Sequence, residues 1–257
     1  MIPTVFLSGG HGGTDPGAVA LGLKEKEINL NTLLACKDEL ERHGVKVICS
    51  RTKDENDPVA QEVKEANASG ADTAVSFHAN AGKGDGFEAF YCSTDKNGKK
   101  LAQLGEKHIK ALGQNSRGVK SGNHLYFIKN TKMTAVLFES FFVDNDTDNN
   151  IGDTLAEQKA LGVAYAKAIL EYHGIKYKAP TTKKPTTTKK PTTKKDDSFI
   201  VEITAYALNV RAGAGANYKV KTTVTKGYKY TIVEVKGDWG KLKSGAGWIN
   251  LKYTKRV

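Results

Sequence analysis

Between residues 180 and 195 the chain repeats one short unit three times: Pro180-Thr-Thr-Lys-Lys, Pro185-Thr-Thr-Thr-Lys-Lys and Pro191-Thr-Thr-Lys-Lys. The unit has no apolar side chain to bury, so nothing offsets the entropy of ordering it. Proline and self-repelling lysine hold such a stretch extended, and at roughly 3.1 Å per residue about 16 residues reach about 50 Å. A single hydrophobic core cannot run through it. The sequence therefore predicts two separate working parts, 1–177 and 198–257, joined by a linker over 178–197.

The charge divides at the same place. Residues 1–177 carry 21 Lys and Arg against 23 Asp and Glu, 178–197 carry seven against two, and 198–257 carry 11 against three. The net charge of +11 thus belongs to the C-terminal third, which points to a polyanionic partner for that part. No apolar run of about 18 residues exists, so membrane insertion is not expected. The first residues lack a basic n-region and their apolar stretch is short, so the expectation is synthesis in the cytoplasm without a signal peptide. Cys36, Cys49 and Cys92 are scattered and form neither a disulfide framework nor a CxxC metal pair.

The first part reads as strands alternating with helices. Short apolar runs over 2–8, 45–49, 73–78, 86–92, 125–128 and 135–139 predict strands. Helices are expected over 25–43, closed by Gly44, from Asp57-Pro58 onward, over 99–112 and over 154–173. That alternation predicts an α/β fold, a mainly parallel twisted sheet flanked by helices. The last part is different in texture. Its short apolar segments, beginning at Phe199, Leu208, Lys229, Trp239 and Gly247, are punctuated by Gly213, Gly215, Gly227, Gly237 and Gly245, which predicts a small all-β barrel.

Six histidines divide by context. His43 and His173 each precede a glycine at a predicted helix end, His108 falls within a helix, and His124 lies in a loop; capping, surface or packing roles account for them. His11 and His78 each follow an apolar strand and are followed by small or flexible residues, where open α/β sheets bind ligands. Glu139 ends the strand Thr134-Ala-Val-Leu-Phe-Glu, where a buried charge needs a partner. Glu25 opens the first helix, a position that the helix dipole alone also favours. Two imidazoles and one carboxylate are the donor set of a catalytic zinc site with a fourth position left open, and a further carboxylate can carry protons. The four residues are far apart in sequence and contain no compact motif such as HExxH.

At these residues the sequence resembles the zinc-dependent N-acetylmuramoyl-L-alanine amidases of the amidase 3 type. The matching blocks are Gly10-His11-Gly12-Gly13-Thr-Asp15-Pro16-Gly17-Ala18, Glu25-Lys26-Glu27-Ile-Asn-Leu, Ser50-Arg51-Thr52, Ser76-Phe77-His78-Ala79-Asn80-Ala81, Gly86-Phe87-Glu88, Arg117-Gly118-Val119-Lys120 and Ala135-Val-Leu-Phe-Glu139. They stand in the family's order over about 1–174. The resemblance implies His11, Glu25 and His78 as ligands of one Zn2+, Glu139 as catalytic acid and base, and cleavage of the amide between N-acetylmuramic acid and L-alanine in bacterial peptidoglycan. Asn80 is the candidate substrate contact. Where the family usually has a Gly-rich stretch after its final Glu, this chain has Ser140-Phe141-Phe142.

Residues 200–254 resemble bacterial SH3-like cell-wall-binding domains through Ala207-Leu-Asn-Val-Arg211-Ala-Gly213, Asp238-Trp239-Gly240-Lys241-Leu242 and Ala246-Gly247-Trp248-Ile249. Trp248 is expected in the core, and Tyr206, Tyr218, Tyr228, Tyr230 and Trp239 are candidate wall contacts. The expected partners are peptidoglycan and anionic wall polymers, not nucleic acid, for which the tail shows no motif. The setting implied is a lytic enzyme of the phage endolysin or autolysin kind, acting on the wall after release. Two other readings of the same residues stay open: a zinc peptidoglycan peptidase or deacetylase, and a non-enzymatic wall-binding protein.

Overall fold

The computed structural model describes residues 2–179, 198–204, 207–215, 218–225 and 227–257. The chain falls into two compact units, Met1–Thr181 and Thr182–Val257. The repeated segment over 180–197 lies outside the described residues, as does Tyr206. The last described residues before it stay on the first unit: the Lys178 amide donates to His43 Nε2 at 2.8 Å, and Arg42 donates to the Lys178 carbonyl.

The first unit contains β1 (Thr4–Gly9), the hairpin β2 (Val19–Ala20) and β3 (Leu23–Lys24), α1 (Glu25–Arg42), β4 (Lys46–Cys49), α2 (Val59–Ala68), β5 (Thr73–Asn80) and β6 (Phe87–Tyr91). After these come α3 (Lys96–Lys110), β7 (Ser116–Ser121), α4 (Tyr126–Asn130), β8 (Thr134–Phe142) and α5 (Leu155–Tyr172). Six strands form one sheet in the order β4-β1-β5-β8-β6-β7. Every neighbouring pair is parallel except β6 with β8. The expected α/β class holds, with this one antiparallel pairing near the edge.

The alternation of side chains along each strand builds two layers. Val5, Leu7, Val75, Phe77, Val136 and Phe138 face α1, α3 and α5, with Leu33, Leu101 and Tyr165 in the same core. The intervening Phe6, Ala74, Ala135 and Leu137 face α2 and α4 through Val63, Ala66, Phe127 and Ile128. Because both faces are covered, the central strands read as continuous apolar runs, which made them visible in the sequence. α5 starts where expected because Thr154 and Glu157 form a reciprocal capping box.

In the main sheet and its helical layers two elements depart from the sequence reading. The run over 125–128, expected as a strand, is the start of helix α4. A four-residue apolar run has no period that separates strand from helix, and here Phe127 and Ile128 pack together into the second layer as one helical face. The sheet position next to β6 is filled instead by β7, whose sequence Ser-Arg-Gly-Val-Lys-Ser is polar because it is an edge strand with little to bury.

The second unit is all antiparallel. Its strands are β9 (Phe199–Ile203), β10 (Ala207–Arg211), β11 (Val220–Thr225), β12 (Lys229–Lys236), β13 (Trp239–Leu242), β14 (Trp248–Asn250) and β15 (Thr254–Arg256), ordered β11-β10-β14-β13-β12-β9-β15. They enclose Val201, Ile203, Leu208, Val210, Val224, Ile232, Leu242 and Ile249. The strands β11 and β15 were not legible, since Val220–Thr225 and Thr254–Arg256 are mostly polar.

Candidate metal centre

The carboxyl ends of β1, β5 and β8 and the first residue of α1 meet at one point, the place where ligands bind in sheets of this kind. His78 on β5 and Glu139 on β8 are register partners, so both side chains leave the sheet on the same face. Glu25 is the first residue of α1 and is buried beneath them. His11 follows β1 in a turn where its own φ is +66°, a conformation that non-glycine residues adopt at some cost in strain.

The three groups lie against each other. His78 Nδ1 is 2.9 Å from Glu25 Oε1, and His11 Nε2 is 3.2 Å from Glu25 Oε2. The imidazole centroids are 5.2 Å apart, edge to face. One ligating atom from each of His11, Glu25 and His78 falls within 4.8 Å of the others, a set that can hold a metal ion. His11 Nδ1 contacts Asp15 Oδ2 at 2.8 Å, so in a neutral ring the proton sits on Nδ1 and the lone pair on Nε2 points at the centre.

The electrostatics follow from this packing. The hydrogen bond to Glu25 pushes His11 up to about 9, although burial opposes it. Burial would raise Glu25, but the hydrogen bonds from His11 and His78 outweigh it and hold the carboxylate far below its ordinary range. Burial would lower His78, and the hydrogen bond to Glu25 more than reverses this. Glu139 behaves oppositely: burial pushes it up to about 7, and its Oε2 is sealed from solvent with no hydrogen-bond partner among the described residues. A lone buried carboxylate oxygen beside a two-histidine, one-carboxylate cluster fits a proton carrier next to a metal.

Close approach is made possible by glycine. A Cβ on Gly10 would stand 2.1 Å from His78 Cε1, and one on Gly17, whose φ is +64°, would stand 2.6 Å from Glu25 Oε2. Arg51, fully buried, donates to the carbonyls of Gly9 and Lys26 at 2.7 and 2.8 Å. It thereby ties the turn carrying His11 to the helix start carrying Glu25. Asn29 adds a bond to the Gly10 carbonyl at 3.0 Å and one to Glu25 Oε1 at 3.3 Å. Asp15 and Arg51 stand within the motif blocks of the sequence without a role assigned to them there. A carboxylate four residues after His11 was the available signal for Asp15; the reach of Arg51 across the fold left none.

Asn80 sits beyond His78 on β5 and donates to Glu88 Oε2 at 3.0 Å. The remaining histidines are elsewhere. His43 and His173 close α1 and α5, His108 contacts Glu171 at 2.8 Å, and His124 packs edge-on against Phe90. In the second unit Tyr218 and Tyr228 are about half exposed, Tyr230 packs partly on the core and Trp239 is half-buried. Trp248 is buried, flanked by Lys236 and Lys241 over its ring. Tyr253, absent from the sequence-based candidates, is as exposed as Tyr228.

Comparison with known proteins agrees with this architecture. The N-acetylmuramoyl-L-alanine amidase family model matches residues 5–171, and the bacterial SH3 domain model matches 207–255. N-acetylmuramoyl-L-alanine amidase CwlM of Bacillus licheniformis is 38% identical over 148 residues, which is 56% of this chain and 58% of CwlM. The endolysin of Bacillus phage SPP1 is 36% identical over 179 residues, covering 64% of this chain and 66% of the endolysin. The catalytic domain of CwlV, an amidase from Bacillus (Paenibacillus) polymyxa var. colistinus, superposes with a TM-score of 0.63 at 29% identity, covering 68% of this chain and 100% of that one. This chain thus spans little more than half the length of CwlM.

Proposed function

We propose, from the premise that this chain belongs to the N-acetylmuramoyl-L-alanine amidase family of the amidase 3 type, that it hydrolyses the amide joining N-acetylmuramic acid to L-alanine in bacterial peptidoglycan. The observation that carries the reading is the convergence of His11, Glu25 and His78, with the partnerless oxygen of Glu139 in register beside His78.

His11, Glu25 and His78 hold one zinc ion in this reading, with Asp15 fixing the tautomer of His11. Bound there, zinc supplies Lewis acidity towards the scissile carbonyl and lowers the pKa of water. Glu139, raised to about 7 by burial, is matched to proton transfer near neutral pH. It takes a proton from the attacking water and returns it to the alanine nitrogen as that amine leaves. The side chain is half-buried with Oε2 sealed from solvent, which shields the proton between the two steps. Asn80, held by Glu88, contacts the substrate beside the reacting amide. The basic second unit keeps the catalytic unit on the wall, through Tyr218, Tyr228, Tyr230 and Trp239 as contact candidates and through attraction to anionic wall polymers. The activity is that of a lytic enzyme of the endolysin or autolysin kind.

Metal analysis combined with product identification tests the reading. One zinc per chain is expected, lost in His11→Ala and His78→Ala. Mass spectrometry of digested walls should find a new amine on L-alanine and an intact lactyl carboxylate. Cleavage inside the stem peptide, or loss of acetyl groups alone, would replace the amidase by a peptidase or a deacetylase. Full zinc content in both histidine variants would remove the ligand assignment.

A further inference from the structure

The row that begins with His78 and Glu139 continues across the sheet. Glu88 on β6 is the register partner of Glu139 on β8, so a second carboxylate lies on the same face one strand over. Glu88 is buried, with only 7% of its side chain exposed, and both of its oxygens are occupied. Oε2 accepts from Asn80; Oε1 accepts from Arg117 Nε at 2.6 Å and also from Lys120 Nζ. Both cations come from the polar edge strand β7. One carboxylate oxygen therefore faces two cations, with Asp85 and Asp148 further off as additional counter-charges to Arg117.

Arg117 is held in a way its neutralising task does not require. Its Nε is bound to Glu88 and its guanidinium carbon lies 5.3 Å from the centroid of the Phe142 ring. Phe142 is itself buried and anchored by its amide to Asp148. Two contacts thus restrain the guanidinium, while its two Nη groups bond nothing among the described residues and the side chain is 45% exposed. A planar fork tethered at Nε, with its outer pair of donors directed away from Glu88, is suited to a carboxylate, which it can grip with two parallel hydrogen bonds.

We propose that Arg117, supported by Lys120, Glu88 and Phe142, is a specificity-determining subsite for a carboxylate on the peptide side of the scissile amide. The proposal rests on the amidase reading above. In such a substrate the sugars are neutral and the lactyl carboxyl is consumed in the amide itself. The first free carboxylate is the α-carboxyl of the second residue, a D-glutamate joined through its γ-carboxyl. From the scissile carbonyl to that group is two residues of chain, at most ~7 Å. The fork is held against Glu88, one strand over from Glu139 and two from His78, a separation of roughly 5–10 Å that is of the same order as that span. The subsite would sort walls by whether this carboxyl is free or amidated.

The test uses the zinc-loaded full chain and two soluble N-acetylmuramoyl tripeptides that differ only in bearing D-isoglutamate or D-isoglutamine at the second position. Wild-type kcat/KM should favour the free carboxylate by about tenfold, the worth of one charge-assisted hydrogen-bonded pair. Arg117→Gln and Arg117→Lys should both bring the ratio towards one. The lysine variant keeps a cation for Glu88 and so isolates the loss of the fork, with melting temperature as the check on folding. A ratio near one in the wild type, or a preference unchanged in both variants, would overturn the subsite; equal loss on both substrates would reduce Arg117 to a partner of Glu88. Absence of amide cleavage from either substrate by the wild type would instead overturn the amidase reading, and the subsite with it.

Discussion

Replacing Gly10 by alanine probes the metal centre with a single methyl group. A Cβ at this position would stand 2.1 Å from His78 Cε1 and 2.2 Å from His78 Nε2. Carbon atoms in contact rest at about 3.5 Å, so the ring must retreat by more than ~1 Å. Gly10 does not have the left-handed φ of its neighbours Gly12 and Gly13, so alanine is conformationally acceptable and the clash is the whole perturbation. β5 is paired on both sides, with β1 and β8, and cannot shift as a body; the imidazole has to rotate away from Glu25 instead. Misplacing a reacting or ligating group by ~1 Å costs on the order of 100-fold, and lost ligand orientation costs roughly 10–100-fold in metal affinity. Zinc affinity should therefore fall by about 100-fold, or about 2.7 kcal/mol. Overpacking of this kind costs the fold only about 1–3 kcal/mol. Gly105→Ala is the control: its Cβ would stand 2.3 Å from Phe138 Cε1, an equal clash in the helical layer away from the ligands. Competition with a chelating indicator measures zinc affinity, and thermal melting follows the fold. A folded Gly10→Ala protein that binds zinc within about threefold of wild type, or a Gly105→Ala protein that loses as much, would refute the placement of His78.

Three further outcomes are expected. Glu139→Gln should retain zinc and lose roughly 10²–10⁴-fold in kcat; because Glu139 acts as a base in its charged form and is raised to about 7, wild-type activity should fall as pH drops through about 7, with the limb moved lower by a neighbouring divalent ion. Near-normal turnover of the variant, or a wild-type profile without an acid limb, would take Glu139 out of the chemistry. Residues 198–257 carry 11 Lys and Arg against three acids, so sedimentation of the full chain with purified walls should weaken between low salt and about 0.5 M, where screening falls to a few ångströms, while cleavage of a soluble muramoyl peptide changes much less. Equal salt sensitivity of the two would count against a targeting role for the basic unit.

The alternation of apolar runs and helical periods made the α/β class legible because the central strands are buried on both faces and carry no polar interruption. His11, Glu25, His78 and Glu139 stood out for a related reason: each is a polar residue at the end of an apolar or glycine-rich segment, a place where burial has to be explained. The edge strand β7 was not legible, since an edge has little to bury and its sequence reads as loop. Nor was α4, since four apolar residues fit either period.

The existence of two units was legible in composition, since the repeated Pro-Thr-Lys stretch has no apolar residue to bury, and the break between the compact units falls within it. The identities of the candidate donors were also local, set by residue chemistry at strand and helix ends. What tertiary structure alone decided is which of them touch. The pairing of β5 with β8 put His78 beside Glu139, and the antiparallel pairing of β6 put Glu88 in the same row. Arg51 drew the His11 turn onto the start of α1, and β7 brought Arg117 to both Glu88 and the Phe142 ring. Register and long-range packing are properties of pairs of segments, and a list of residues along one chain does not contain them.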